Sequence, residues 1–274
     1  MHFDLIQSLS LAGASSVPND DRAGMVHALA WVIDGATDLG PPGLMGARGG
    51  AAWLASEAQA AFTAAPDAPI GAICHGVADR LAAAYAATRT REPAGRWELP
   101  MSSFLAVRLA GDVLETGWLG DCAGLLRSAD GVIRLGPPRQ EKDAEAEKAA
   151  SLARHGLGSP KRSAPILEVL RESRSGPGKR ILGVEPETMA SLETARTRCA
   201  PGDDVLLMSD GFSALVDAYA ELDEAALMAE LAEHGLDRLG TRLRAIEAAD
   251  RDCSRFPRFK TSDDATALWL RIGG

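Results

Sequence analysis

The sequence is short of cysteine, of aromatic rings and of any long apolar run, and each shortage removes a class of function. Its four cysteines, Cys74, Cys122, Cys199 and Cys253, are scattered, with no CxxC pair among them. That spacing speaks against a zinc site or a redox pair, and reduced thiols in a cytosolic protein are expected. No apolar stretch approaches the ~20 residues that a membrane-spanning helix needs. The opening residues have no basic segment, and Asp4 interrupts their apolar stretch, so the expectation is no secretory signal and a cytoplasmic location. Positive charge is also in the minority, with 29 Lys and Arg against 38 Asp and Glu and a formal net charge of −9. That sign repels nucleic-acid phosphates and anionic lipid headgroups, so neither is an expected partner. Repeats and low-complexity tracts are absent as well.

What remains is an ordinary globular composition, 46% hydrophobic and 24% charged over 274 residues, enough for a sizeable core. With aromatics at 5%, Ala, Leu and Val must do most of the packing. A strand is predicted over His27–Ile33, ending at Asp34-Gly35, and the Pro/Gly-rich stretch 39–50 cannot be regular throughout. Two helices follow; Ile70, Ile73, Val77, Leu81 and Tyr85 recur at helical spacing along the second. The middle of the chain then reads as an antiparallel meander. Its runs are Met101–Leu109, Val113–Leu119, Ala123–Ser128 and Val132–Leu135, with turns at Gly111-Asp112 and Asp130-Gly131.

Residues 137–180 change character: charged, rich in Pro, Gly and Ser, with short helical patterns near 141–154 and 166–170. They carry too little apolar material for a core of their own and are predicted to form an inserted flap. Strands resume near 189–196 and 204–208. Two helices follow, the later one marked by Leu236, Leu239, Leu243 and Ile246, and a strand over 265–272 closes the chain. Strands and helices mix without strict alternation, which favours an antiparallel α+β fold. One domain spanning 1–274 is expected.

The acids recur at strand ends. Asp34 ends one run, Asp121 another and Asp210 a third, while Asp263 precedes the closing strand and Asp20-Asp21 precede the run that leads to Asp34. Strands of one sheet that end in carboxylates can gather them at its edge. Carboxylates crowded together require a counter-charge, and an all-oxygen ligand set selects Mg²⁺, Mn²⁺ or Ca²⁺ over zinc. Taken one at a time, each has a structural alternative. Asp34-Gly35 is a common turn dipeptide, Ser209 or Asp210 could cap a helix, and Asp263-Asp264 could lie in a solvated loop.

In this order the motifs resemble those of the metal-dependent protein phosphatases of type 2C (PPM). Asn19-Asp20-Asp21-Arg22 is similar to the family's Asn-Glu-Asp segment, and Asp34-Gly35 to its Asp-Gly-His-Gly-Gly. Gly120-Asp121-Cys122-Ala123 falls where Gly-Asp-Ser-Arg is found. Ser209-Asp210-Gly211 matches Ser-Asp-Gly, and Asp263-Asp264-Ala265-Thr266 matches Asp-Asn-x-Thr. The resemblance implies a four-layer α-β-β-α sandwich with two Mn²⁺ or Mg²⁺ ions at one edge, and a third in some bacterial members. It implies that Asp34 bridges the metals, that the Gly35 carbonyl binds one, and that Asp210 and Asp263 hold the other. Asp20 takes the early acidic position, with Asp21 behind it orienting metal-bound waters. Asp121 and Asp210 correspond to the third site, and Thr266 supports the closing strand. A water bridging the metals would then attack the phosphorus of a phosphoserine or phosphothreonine in line. The expected partner is a phosphoprotein, the substrate of a Ser/Thr kinase.

Departures from the pattern bear on rate and substrate. The family's phosphate-gripping Arg is Ser16 here, and Arg22 is the candidate replacement. The His after Asp-Gly is Ala36, the Arg of Gly-Asp-Ser-Arg is Ala123, and Asn is replaced by Asp264. His75 lies off the apolar stripe of its helix and is expected to be solvated, and His155 falls in the flap. Lys161, Arg162, Arg174, Lys179 and Arg180 of the flap are a solvated surface or steer an acidic phosphoprotein. The alternative function is a binding or regulatory module that keeps the fold without turnover. Hydrolysis of small phosphate compounds is not separable from the first reading by sequence.

Overall fold

Strands with unbroken apolar runs are covered on both faces. The computed structural model describes residues 1–15, 17–47, 49–139, 144–158, 162–176 and 178–274. In it β3 (Leu29–Gly35) sends Leu29, Trp31 and Ile33 to one side and Ala30 and Val32 to the other. β10 (Asp204–Met208) divides Val205 and Leu207 from Leu206 and Met208 in the same way. β11 (Ala265–Gly273) divides Leu268, Leu270 and Ile272 from Ala265, Ala267 and Trp269. A side-chain period of two sorts each run into two packing faces, and only a strand buried on both sides needs apolar residues at every position.

These strands build two antiparallel sheets. One has the order β1 (His2–Leu11), β11, β10, β6 (Ala123–Ser128), β7 (Gly131–Leu135). The other runs β2 (Arg22–Val26), β3, β4 (Met101–Ala110), β5 (Val113–Leu119), β9 (Glu193–Arg198), with the short β8 (Leu182–Gly183) pairing β4. Between the sheets lie Ala30, Val32, Leu105, Val107, Leu126, Val205 and Leu270. Helices α1 (Gly50–Thr63) and α2 (Ile70–Thr88) cover the outer face of the second sheet through Trp53, Phe62, Ile73, Val77 and Leu81. The outer face of the first is covered by α5 (Asp210–Ser213) and α6 (Glu224–Ala249) through Phe212, Leu227, Leu239 and Leu243. The order is helix, sheet, sheet, helix, the four-layer α+β sandwich that the sequence led us to expect.

Several boundaries differ from expectation for local reasons. His27 does not open β3; it sits in the turn of a β2–β3 hairpin with φ 52°, and the strand begins at Leu29 and runs on through Asp34 and Gly35. The strand expected from Met189 starts at Glu193, because Pro186–Ser191 wind into a 3₁₀ turn with Pro at its start. The Asp130-Gly131 turn forms as expected, with Gly131 at φ 125°, a conformation that side chains resist.

Within residues 137–180, expected to form a flap, α3 (Ala144–Ser151) and α4 (Ala164–Ser175) share a small apolar cluster of Ala149 and Ile166, with Phe259 contributed from outside that segment. Arg171 of α4 lies 4.2 Å from the centre of the Trp97 ring. It also donates from Nε (2.9 Å) and Nη2 (2.6 Å) to the Leu39 carbonyl, and Arg174 Nη1 donates to the Thr37 carbonyl at 2.9 Å. α4 is thereby clasped to the loop that follows Asp34-Gly35.

Candidate functional site

Strand parity and strand ends bring the acids together. Asp34 shares the parity of Ala30 and Val32 and so faces the opposing sheet. There Asp210 opens α5 directly after β10, and its backbone N–H donates to Asp34 Oδ2 at 3.3 Å. Ser209, just before it, is stitched to the start of β11. Its N–H donates to the Thr266 carbonyl (3.0 Å), and the Thr266 N–H donates to Ser209 Oγ (2.9 Å). A Cβ on Gly211 would stand 2.0 Å from the Asp264 carbonyl oxygen, so the residue after Asp210 can only be glycine at this approach. Asp121 follows β5 and accepts from Ser103 Oγ of β4 at 2.6 Å. The fully buried Cys122 thiol lies in the field of Asp34, Asp121, Asp21 and Asp210, and burial followed by those charges pushes its pKa well up.

The site is crowded with acids for its depth. Burial, then the charge of Asp21, raises the Asp34 pKa well above the ordinary carboxylate value. Burial, then Asp34, does the same to Asp210. Asp21 is 3% exposed, and neither of its carboxylate oxygens has a hydrogen-bond partner. Burial pushes it up to about 8, with Asp210, Asp263 and Asp264 adding to the rise. The Ser209 hydroxyl is near enough to oppose that rise but not aligned to hydrogen-bond.

Asp20 takes a different direction from its neighbour. Asp264 accepts the Asp20 N–H on Oδ2 and the Gly13 N–H on Oδ1, both at 2.7 Å, tying the β1–β2 loop to the start of β11. Burial, then Asp264 and Asp38, raises the Asp20 side chain to about 7. Asp38 itself receives the Gly50 and Ala51 N–H groups at the start of α1, at 2.7 and 3.2 Å. Of the adjacent acids, then, it is Asp21, expected to stand behind, that turns in toward Asp34 and Asp210. Gly35 lies against Asp20: a Cβ there would be 2.7 Å from the Asp20 carbonyl oxygen. Arg22 donates through Nη1 to the carbonyls of Asn19 (2.8 Å) and Asp21 (2.6 Å) and through Nη2 to Ser56 Oγ (3.2 Å), holding the acidic turn in shape.

At the other end of the site, Lys260 Nζ stands 2.5 Å from Asp263 Oδ1, which also receives the Asp264 N–H at 2.8 Å. Arg244 of α6 donates to the Asp263 carbonyl at 2.9 Å and to that of Leu11 at 3.0 Å, fixing the backbone. Burial disfavours the Lys260 charge, but the neighbouring Asp263 carboxylate outweighs it and holds the pKa up. Ser16 and Lys161 lie outside the described residues. Ala36 brings no side-chain donor, His75 is exposed, and His155 accepts from Arg154 Nε (3.1 Å) within the flap. Sequence reasoning missed Lys260, Ser103 and Asp38. Ser102-Ser103 at one end of an apolar strand was a usable signal for Ser103; a single Lys in a loop gave none.

The residues fit a hard divalent cation. An orphaned buried carboxylate, Asp21, faces other carboxylates with no hydrogen-bond donor of its own, and all the donors are oxygens. Among the described residues, no three His, Cys, Asp or Glu side chains are drawn up as a finished ligand set. Asp263 leans on Lys260, and Asp121 leans on Ser103.

No family model and no curated protein matches the sequence. Solved structures do. The Mycobacterium tuberculosis serine/threonine phosphatase PstP/Ppp superposes with a TM-score of 0.61 at 16% identity, over 100% of both chains. A second structure of a PstP catalytic domain, in complex with two manganese ions, gives 0.58 at 16% identity, over 100% of this chain and 99% of that one. The serine/threonine phosphatase Stp1 from Staphylococcus aureus gives 0.57 at 15% identity, over 99% of this chain and 96% of that one. At these identities the likeness establishes the fold, which is that of bacterial PPM-type serine/threonine phosphatases.

Proposed function

We propose that this chain is a metal-dependent phosphoserine/phosphothreonine phosphatase, one domain with an inserted flap. The observation that carries the reading is the buried, unpartnered Asp21 facing Asp34 and Asp210 where the two sheets meet. In it Asp34, the Gly35 carbonyl, Asp210 and Asp263 hold two Mn²⁺ or Mg²⁺ ions, and Asp121 with Asp210 offers a third position. Asp21 takes the early acidic role from inside the site, and Asp20 supports the turn. Bound there, the ions supply the charge that acidifies a water and neutralises phosphoryl oxygens. The chain's own part is to hold these acids at fixed separation: β3 and β10 carry them, Ser209 locks β10 to β11, and Arg22 and Arg244 fix the flanking turns. No side-chain nucleophile is needed, and the buried thiol of Cys122, with its pKa raised, is unsuited to be one. A phosphoprotein would approach over the flap, where Arg162 and Arg174 add positive charge to an otherwise acidic molecule.

The test is hydrolysis of p-nitrophenyl phosphate and of a phosphothreonine peptide with Mn²⁺, then with EDTA, using the wild type and Asp210→Asn. Release from both substrates that EDTA and Asp210→Asn each abolish is the expected result. Release that survives either one would sink the proposal. A second reading, a phosphoprotein-binding module without turnover, is favoured by the Lys260–Asp263 ion pair and by Ala36. It predicts Mn²⁺ binding and phosphopeptide binding with no release.

A further inference from the structure

We infer that Lys260 is an internal counter-cation of the acidic site, competing with a divalent cation for Asp263, so that the two halves of the site load unequally. The inference rests on reading the site as a divalent-cation centre. Its first support is geometric: Nζ is 2.5 Å from Asp263 Oδ1, and the two side chains are 33% and 40% exposed.

A surface lysine would be free to move away from such a partner, but this one is delivered by a fixed loop. Arg258 binds Asp250 Oδ2 through Nη1 (2.5 Å) and the Thr261 carbonyl through Nε (3.0 Å). Thr261 Oγ1 donates to the Gly158 carbonyl (2.9 Å), and Phe259 is buried against Ala149 and Ile166. Residues on either side of Lys260 are therefore tied down. Asp34 and Asp20 are the other carboxylates in its field, and Arg162 of the flap is the cation there.

The second support is independent of Lys260. Asp21, nine-tenths buried and more, has both carboxylate oxygens without a partner and faces Asp210 and Asp263. One ammonium is a compact point charge and satisfies Asp263 alone, so Asp21, Asp34 and Asp210 still need a cation. A first divalent ion meets no side-chain cation among those three and has only their protons to displace. A second, needing Asp263, must displace the ammonium from an oxygen and then remain near its charge.

The experiment is calorimetric titration of the metal-free protein with Mn²⁺ alone, for wild type, Lys260→Met, Lys260→Gln and Lys260→Arg, each checked for fold by circular dichroism. We expect the wild type to bind in two steps, the second weaker by about tenfold or more, as the loss of one attractive charge and the gain of one repulsive charge at ~4 Å imply. Met and Gln should strengthen the weak step by about tenfold and shift the strong one by less than about threefold, and Arg should behave as wild type. Two wild-type steps left unchanged or weakened by both Met and Gln would overturn the role of Lys260 and leave the metal centre standing. No binding in any variant would overturn both.

Discussion

Asp21 is buried with neither carboxylate oxygen hydrogen-bonded, an arrangement that is costly for a charge and mild for a neutral acid. Its pKa of about 8 in the metal-free fold lies above the ordinary 3.8. Between those values the folded chain binds a proton that the unfolded chain has lost, so stability falls as pH rises from about 4 to about 8. Each unit of separation is worth about 1.4 kcal/mol, and the facing acids share the protons. Asp21→Asn cannot ionise, so it should stabilise the metal-free protein at pH 8 relative to pH 5 by roughly 2 kcal/mol, a few degrees in Tm. Thermal melts of both proteins in EDTA at the two pH values check this; a Tm difference that does not change with pH would refute it. The adjacent acids also mark where sequence stops being legible. The motif places Asp20 and Asp21 side by side, but which one turns inward is decided by Asp264, which draws the Asp20 and Gly13 N–H groups to itself across 244 and 251 residues of chain.

At the scale of the element, period was the readable signal. The stripe from Ile70 to Tyr85 is the buried face of α2, and the unbroken run of β10 is a strand covered on both sides. The β2–β3 hairpin was hidden because Arg22–Val26 is half-buried with no clean alternation, and its turn uses His27 rather than a turn dipeptide. Residues 137–180 were expected to form a flap without a core of its own, and the contacts that hold α4 were not legible in the sequence. Arg171 joins a ring contact with Trp97 to hydrogen bonds with the Leu39 carbonyl. The first is worth about 0.5–1 kcal/mol and the second about 1.5–3. Arg171→Ala should therefore speed amide exchange across Ala164–Ser175 by roughly thirtyfold to several hundredfold while leaving the global Tm nearly unchanged. Exchange in α4 at the wild-type rate would show that the flap is held by something other than this clasp.

Across the whole molecule, the acids of the candidate site come from both sheets. Asp34 lies in β3 and Asp121 just after β5, whereas Asp210 opens α5 just after β10 and Asp263 precedes β11. The charged forms of Asp34 and Asp210 are costly at this edge of a sandwich that Leu105, Val107, Val205 and Leu207 hold closed elsewhere. In the proposed function, a divalent cation bound between them would offset that cost and link the layers, so that binding and folding would be coupled. At a free Mn²⁺ concentration of about 100 times Kd, the native state gains about 2.7 kcal/mol. For a chain of this size that is roughly 5–10 °C in Tm. Asp34→Asn and Asp210→Asn each remove one ionisable acid, the first from β3 and the second from the residue that follows β10 and Ser209. At pH 8 in EDTA each variant should melt higher than wild type, because the amide does not need the proton that the raised pKa of the buried acid demands on folding, and each should lose most of the Mn²⁺ shift. Scanning calorimetry with and without Mn²⁺ measures both effects. If the variants kept the full shift, the ion would be binding elsewhere than between the sheets, and the edge of the sandwich would hold a cluster of protonated acids rather than a metal centre.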